Sequence, residues 1–168
     1  MSHDGTLQSK VGLKTPVPVL ARDFDADFQA IRDVLTDLRT CLAGKNASSE
    51  DIGSLELLLS EVLTNVVKHA YADGPRGQIR LALTCDGNSV YVDVRDFGSA
   101  LPGGALPVGR PADTQIHIQE QPESGFGWIL IRALAEDISY AREGSSNRLR
   151  FRVAVRLEGD GPGAAETV

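Results

Sequence analysis

Two polar residues, Glu61 and Asn65, lie four positions apart in a stretch whose apolar residues recur at steps of three and four. That recurrence predicts a helix with one buried stripe, formed by Ile52, Leu55, Leu59, Val62 and Val66. On the other side of this helix the two polar side chains are neighbours, roughly 6 Å apart along the axis. An amide oxygen can ligate Mg²⁺, and a carboxylate can accept a proton from a hydroxyl. The same spacing is also typical of a solvated helix face.

A second candidate is Asp96, which follows an alternating segment in which Val90, Val92 and Val94 share one face. If the strand continues to this point, the carboxylate points toward the dry face, where an unpaired charge is costly. The amino group of adenine or of guanine would satisfy it there. Gly98 removes a side chain where a flat ring would approach the backbone. The alternative is that Asp96 caps a turn after the strand.

A third candidate is Gly125-Phe126-Gly127, which opens a predicted helix after a Pro- and Gly-rich segment. Glycines at a helix start let backbone N–H groups converge on an anion, and the positive end of the helix favours phosphate. A short Gly-x-Gly also marks tight turns, and this one lacks the context of a Walker loop or a dinucleotide fingerprint. The preceding residues, 99–124, are predicted to be a functional lid or a disordered loop.

The elements that position these candidates follow from hydrophobic periodicity. Residues 15–21 are too rich in proline for a central strand and are predicted to form an edge strand. The remaining predictions are a helix from Phe24 to about Gly44, a helix capped by Ser48 or Ser49, a hairpin of strands 79–85 and 90–96, a helix from Gly125 to about Asp137, and a terminal hairpin turning at residues 143–146. Strands with one dry face predict an α/β (α+β) two-layer sandwich, with a mixed, mainly antiparallel sheet covered by helices on one face.

Length and charge narrow the possible partners. A chain of 168 residues suits one domain, predicted at residues 13–157, with disordered tails at 1–12 and 158–168. The formal charge of -6 argues against a nucleic-acid partner and an anionic membrane surface. No apolar run approaches membrane-spanning length, and residues 1–10 do not resemble a signal peptide. Cys41 and Cys85 are too few for a disulfide framework or a zinc site, so we expect reduced thiols in the cytoplasm.

The three candidates occur in a characteristic order: Glu-x-x-x-Asn on a helix, Asp-x-Gly after a strand, a lid, and Gly-x-Gly opening a helix. On these motifs the chain resembles the GHKL (Bergerat-fold) ATP-binding superfamily. Within that superfamily it is most similar to the small anti-sigma-factor serine/threonine kinases of bacterial partner-switching systems. The resemblance runs from about Val17 to Leu157 and is closest at residues 57–70, 92–98 and 125–137.

The resemblance implies the Bergerat ATP-binding fold and a role for each matched residue. Asn65 would hold Mg²⁺ against the phosphates of ATP, and Glu61 would be the catalytic base for a serine or threonine hydroxyl on a partner protein. Asp96 would bind the adenine amino group, with Gly98 beside the ring. The residues implied to wrap the phosphates are Gly125, Phe126 and Gly127.

The function that the resemblance implies is an ATP-dependent protein kinase that phosphorylates a small antagonist protein and sequesters a regulatory partner such as a sigma factor. It also implies a homodimer. Two departures favour an alternative, a nucleotide-binding sequestering module without physiological kinase activity: Ser99-Ala100 stands where the family often has a second glycine, and Trp128 stands where leucine is common. A third alternative is an ATP-hydrolysing or histidine-phosphorylating relative.

Overall fold

Three α-helices and five strands form the described part of the chain. The structure is a computed structural model, and it describes residues 16–107 and 124–157. In chain order the elements are β1 (Val17–Asp25), α1 (Phe28–Ala43), α2 (Ser49–Asn65), β2 (Gln78–Asp86), β3 (Ser89–Asp96), α3 (Ser124–Leu134), β4 (Glu136–Glu143) and β5 (Ser146–Ala154). A π-helical turn (Val66–Ala70) continues α2, and a 3₁₀ turn (Pro102–Gly104) follows β3. The predicted tails and residues 108–123 of the predicted lid lie outside the described residues.

The five strands form one sheet in the order β1-β2-β3-β5-β4, and every described pairing is antiparallel. Alternate strand residues and the inner sides of the helices share one buried hydrophobic cluster. The opposite strand face carries exposed residues such as Arg80, Tyr91 and Arg150. This arrangement confirms the predicted two-layer sandwich with helices on one face, although the described sheet is antiparallel throughout instead of mixed.

The boundary between β1 and α1 lies at a position that hydrophobic periodicity alone does not predict. Phe24, predicted to begin the helix, lies in β1 opposite Ile79 of β2. The helix begins after Asp27, whose carboxylate accepts hydrogen bonds from the N–H groups of Gln29 (2.9 Å) and Ala30 (2.8 Å). The prediction failed because Phe24 fits both a helical and a strand pattern. The predicted edge position is confirmed, since β1 lies at one end of the sheet.

Helix α2 is held firmly at its start and in its middle. Ser48 caps it by accepting a hydrogen bond from the Asp51 N–H at 3.1 Å, as predicted. The Asp51 carboxylate in turn accepts the Arg156 N–H at 2.8 Å, which fastens the helix start to the chain just beyond β5. Five residues of α2 are at most 2% exposed: Leu55, Leu58, Leu59, Val62 and Leu63. The helix that carries Glu61 and Asn65 is therefore a rigid part of the core.

The β2–β3 hairpin places Asp96 on the inner face of the sheet. Gly87 adopts a φ of 56° in the turn, a conformation that favours glycine. From that turn the alternation of β3 is unbroken, so Asp96 has the same orientation as the buried Val90, Val92 and Val94. Its partners across the sheet are Ile79 on β2 and Asn147 on β5.

The end of α3 differs from the prediction. The helix ends at Leu134 instead of about Asp137, and β4 begins at Glu136. Asp137 has a φ of 53°, and the β4–β5 register shifts between Glu136 and Ser139. The local propensity of this segment is overridden by pairing with β5. Among residues 16–107 and 124–157, no helix is long and apolar enough to cross a membrane.

Candidate functional site

A cavity of about 620 Å³ lies where the end of α2, the end of β3, the start of β5 and the start of α3 meet. Its volume is in the range of small-molecule and cofactor sites. The polar residues that line it are Asn65, His69, Asp73, Asp96, Ser99, Tyr140 and Asn147. The apolar lining includes Val62, Val66, Leu101, Trp128 and Leu149. Two of the predicted site residues, Asn65 and Asp96, therefore open into one cavity.

Glu61, Asn65 and Gly127 meet at the start of α3. A Cβ atom placed on Gly127 would lie 2.7 Å from the Glu61 Oε2 atom and 3.6 Å from the Asn65 Nδ2 atom. Only a glycine lets the helix start pack this closely against the pair. Gly125 and Phe126 lie in the first turn of the same helix. The structure thus brings the predicted Glu-x-x-x-Asn and Gly-x-Gly motifs together, although they are about sixty residues apart in the chain.

The Asn65 amide has one unsatisfied hydrogen-bonding atom in the described part of the structure. Its Nδ2 atom is buried and has no hydrogen-bond partner among the described residues. A buried polar atom without a partner is costly, which points to a group that binds there. A half-turn of the amide exchanges its nitrogen and oxygen with little change in shape.

Mg²⁺ fits this corner. The described residues contain no group of three His, Cys, Asp or Glu side chains that could hold a metal alone. Mg²⁺ is commonly held by one or two protein oxygens together with substrate phosphates, so it does not need such a group. The Asn65 side-chain oxygen is a ligand of the required kind, and Gly127 leaves space beside it.

Asp96 forms the opposite, buried part of the site and is 6% exposed. Its Oδ1 atom accepts hydrogen bonds from Asn147 Nδ2 (2.7 Å) and from the Gly98 N–H (3.0 Å). Both hydrogen bonds within the described residues end on Oδ1, so Oδ2 keeps its capacity to accept one from a ligand. Burial raises the pKa of Asp96, while the Asn147 and Gly98 hydrogen bonds and the Arg142 charge oppose that rise.

Gly98 has a different immediate neighbour from the one expected. A Cβ atom at this position would clash with the backbone carbonyl of Ala70, at the end of the π-helical turn. The Ser99 N–H also donates to the Ala70 oxygen at 2.7 Å. Glycine is therefore required for the contact between two backbone segments, and Ser99 and Ala100 line the cavity here. A position of Gly98 beside a bound ring stays a prediction.

Two residues that periodicity did not single out lie close to Asp96. Tyr71 donates a hydrogen bond to the Gln78 carbonyl (2.8 Å) and accepts one from the Phe97 N–H (2.9 Å). Asn147 is 3% exposed and bonds directly to Asp96. The sequence held a physical signal for it, because Asn147 is a polar residue with the parity of Leu149 and Phe151, both buried.

Trp128 belongs to the core as well as to the cavity. Its side chain is 6% exposed, and it is among the residues that line the cavity next to α2. A tryptophan at this helix start is therefore accommodated by packing.

The fold and the site define the class of this protein. A family model described as a histidine kinase-like ATPase domain matches residues 24–153, so the chain belongs to that family. This confirms the predicted membership of the GHKL superfamily, close to the anti-sigma-factor kinases.

The individual relatives are bacterial serine-protein kinases. The chain is 30% identical over 116 residues to serine-protein kinase RsbW of Bacillus thuringiensis (strain Al Hakam), covering 67% of this chain and 71% of the relative. It is 29% identical over 92 residues to serine-protein kinase RsbW of Oceanobacillus iheyensis, covering 54% and 58%. A crystal structure of RsbU and RsbW domains from Mycobacterium tuberculosis matches 81% of this chain and 32% of that chain, with a TM-score of 0.53 and 22% identity. The last likeness shows a shared fold.

Proposed function

We propose that this chain is an ATP-dependent protein serine/threonine kinase of the anti-sigma-factor type. The observation that carries the proposal is the grouping of chemical groups around one cavity: Asn65 and Asp96 line it, and Glu61 and Gly127 lie against Asn65. An ATP site requires a carboxylate that binds the nucleotide base and, next to the same cavity, groups that bind Mg²⁺ and the phosphates. The serine-protein kinases among its relatives support the choice of reaction.

In the proposed reaction, the hydroxyl oxygen of a serine or threonine bonds to the γ-phosphorus of ATP, the bond to the β,γ-bridging oxygen breaks, and ADP leaves. Glu61 receives the hydroxyl proton. Asn65 would hold Mg²⁺, which when bound neutralises charge on the phosphates. The first turn of α3 offers backbone N–H groups and the positive end of the helix dipole to the same phosphates. Asp96 binds the adenine amino group.

The proposed partners are proteins. The phosphate acceptor is a small antagonist protein with one reactive serine or threonine, and the kinase also sequesters a regulatory partner such as a sigma factor. Two copies of the chain form a homodimer, for which the outer edge of β1, where no other described strand pairs, is a candidate contact. The proposed compartment is the cytoplasm, where ATP is supplied and where Cys41 and Cys85, both free thiols, remain reduced.

A second candidate is a nucleotide-binding module that sequesters its partner without transferring phosphate. It is favoured by the two departures from the family pattern, because Trp128 and Ser99-Ala100 all line the cavity. These residues alter the shape of the nucleotide site without removing Glu61 or Asn65. Phosphate transfer and simple binding are therefore separated only by an activity measurement.

The test uses Glu61→Gln, which removes the base and keeps the side-chain shape. We expect Mg²⁺–ATP to bind wild type and variant with similar affinity by isothermal titration. We expect phosphate transfer to fall by about 10²- to 10⁴-fold, the usual contribution of a general base. Transfer is measured as the mass gain of small single-domain proteins encoded next to this chain, by intact-protein mass spectrometry.

The matched control is Glu56→Gln on the same helix. Glu56 forms a surface ion pair with Arg39 at 2.6 Å, so its loss has little effect on stability and none on transfer. Equal transfer by wild type and Glu61→Gln overturns the role of Glu61. Tight ATP binding by the wild type with no transfer to any candidate partner favours the sequestering module.

A further inference from the structure

Asn147 is the centre of a hydrogen-bond network beside Asp96. Its Oδ1 atom accepts hydrogen bonds from the Tyr140 hydroxyl and from Arg142 Nη1, each at 2.8 Å. Its Nδ2 atom donates to Asp96 Oδ1 at 2.7 Å and to the Ser99 carbonyl at 2.9 Å, and the Gly98 carbonyl is a third, longer acceptor at 3.5 Å. Each polar atom of this 3% exposed amide thus has at least two partners. Fully satisfied buried networks hold a single geometry.

The two donors on β4 decide which way the amide points. With Tyr140 and Arg142 donating to the oxygen, the nitrogen must face Asp96. The reversed amide would place its oxygen against the Asp96 carboxylate and its nitrogen against the Arg142 guanidinium, which cannot accept a hydrogen bond, while the Tyr140 hydroxyl would have to turn from donor to acceptor. That orientation is acceptable only if Asp96 carries a proton, because two acceptors then no longer face each other. The amide orientation that Tyr140 and Arg142 support therefore favours the ionised form of Asp96 over the protonated form.

The protonation state of Asp96 affects which nucleotide base it can bind. An ionised carboxylate only accepts hydrogen bonds, so its remaining oxygen suits a 6-amino purine. A protonated carboxyl can also donate a hydrogen bond, so it can bind the 6-oxo group of hypoxanthine or guanine. We propose that Tyr140 and Arg142 are positioning residues for base selection: by orienting Asn147 they keep Asp96 an acceptor, and so favour a purine that presents an amino group at C6 over one that presents an oxo group there. This inference rests on the proposed function, since it takes Asp96 as the base-binding residue.

Arg142 acts on Asp96 through its charge as well as through Asn147. Burial raises the pKa of Asp96, and the Arg142 charge lowers it. The other titratable groups around the carboxylate are Tyr71, whose own pKa is raised chiefly by burial, and His69 and Asp73 on the cavity wall. Of these neighbours Arg142 is the permanent cation, so its removal makes Asp96 easier to protonate.

Tyr140 and Arg142 also form hydrogen bonds to the backbone of residues 98–101, which follow β3. The Tyr140 oxygen accepts the Leu101 N–H at 3.0 Å, and Arg142 donates to the Gly98 carbonyl at 2.8 Å. Loss of either side chain therefore loosens residues 98–101, which weakens the binding of every nucleotide. A measurement of base selection must separate this general effect from a specific one.

Inosine triphosphate is the suitable probe, because it replaces the 6-amino group of ATP with an oxo group. The variants are Tyr140→Phe and Arg142→Met, with Mg²⁺ present, and both nucleotides are titrated calorimetrically. The matched controls are Tyr91→Phe and Arg150→Met, which alter exposed residues on the opposite face of the sheet. We expect the wild type and both controls to prefer ATP.

We expect Tyr140→Phe to lower the affinity for ATP by about two- to tenfold, the range for one lost hydrogen bond. The affinity for inosine triphosphate should fall less, so the ratio of the two affinities drops. Arg142→Met should act in the same direction, and the double variant should show the largest drop.

Two results overturn the inference. In the first, the ratio of the two affinities is unchanged in both variants and in the double variant, even if both affinities fall, which is a purely structural role. In the second, the wild type binds both nucleotides equally well, and Asp96 then does not read the base. Failure of the wild type to bind either nucleotide is a different outcome, because it contradicts the proposed function itself.

Discussion

Replacement of Gly127 by alanine tests the contact between α3 and the Glu61–Asn65 pair. The new Cβ atom would lie 2.7 Å from Glu61 Oε2, whereas ordinary contacts begin at 3.4 Å. The Glu61 carboxylate would therefore have to withdraw by about 0.7 Å, measured against ordinary van der Waals separation. Glu61 is half-buried and flexible, so this shift is possible without unfolding the helix.

Two opposing effects set the expected stability. Alanine in a helix interior is favoured over glycine by about 1 kcal/mol. The displaced carboxylate costs a similar amount, since an off-rotamer side chain costs on the order of 1 kcal/mol. We therefore expect the free energy of unfolding of Gly127→Ala to change by less than about 1 kcal/mol. Phosphate transfer should fall by about a hundredfold, because misplacement of a catalytic group by about 1 Å costs that much.

The assay compares thermal unfolding with phosphate transfer to the partner protein. Gly53→Ala is the matched control, since Gly53 lies in α2 and a Cβ atom there would meet nothing within 4 Å. The control should gain about 1 kcal/mol of stability and keep its transfer rate. A Gly127→Ala variant that folds and transfers phosphate at the wild-type rate refutes the proposed catalytic geometry.

Four further predictions concern the surroundings of Asp96 and the cavity. Tyr71→Phe removes the hydroxyl that bonds to Gln78 and Phe97, so the free energy of unfolding should fall by about 1–2 kcal/mol, seen as a lower Tm. Because burial raises the pKa of Asp96, the folded chain holds a proton that the unfolded chain has lost. The free energy of unfolding should therefore fall as the pH rises from the ordinary pKa of an aspartate through the raised pKa of Asp96. Asp96→Asn should abolish that dependence in denaturant titrations. ATP affinity should show the opposite trend and weaken as the pH falls through the same range, because a protonated Asp96 accepts from the amino group more weakly than the carboxylate does. Trp128, the only tryptophan, lines the cavity, so saturating ATP should change its fluorescence, and an unchanged spectrum contradicts its placement beside the nucleotide.

Much of the site could be predicted because its signals are local. The step from Glu61 to Asn65 is one helical turn, and the alternation of β3 carries the orientation of Asp96 directly. The cap at Ser48 and the turn at Gly87 likewise depend on residues close in the chain. Such features follow from helix and strand geometry, whatever the rest of the protein does.

The parts that could not be predicted depend on pairing between distant segments. Tyr140 and Arg142 reach Asn147 only because of the β4–β5 register, which includes a shift that no local pattern reveals. The need for glycine at position 98 arises from Ala70, on a different element. Phe24 was assigned to a helix because an apolar residue fits either period, and its pairing with β2 decided the outcome.

The most direct test of the central claim is calorimetric titration of ATP into the wild type, Asp96→Asn and Asn65→Ala, each with and without Mg²⁺. If one cavity holds both the base and the phosphates, the wild type binds one ATP per chain, Asp96→Asn weakens binding whether or not Mg²⁺ is present, and Asn65→Ala removes the Mg²⁺-dependent part. ATP binding that is unchanged in both variants would contradict a shared site for Asn65 and Asp96.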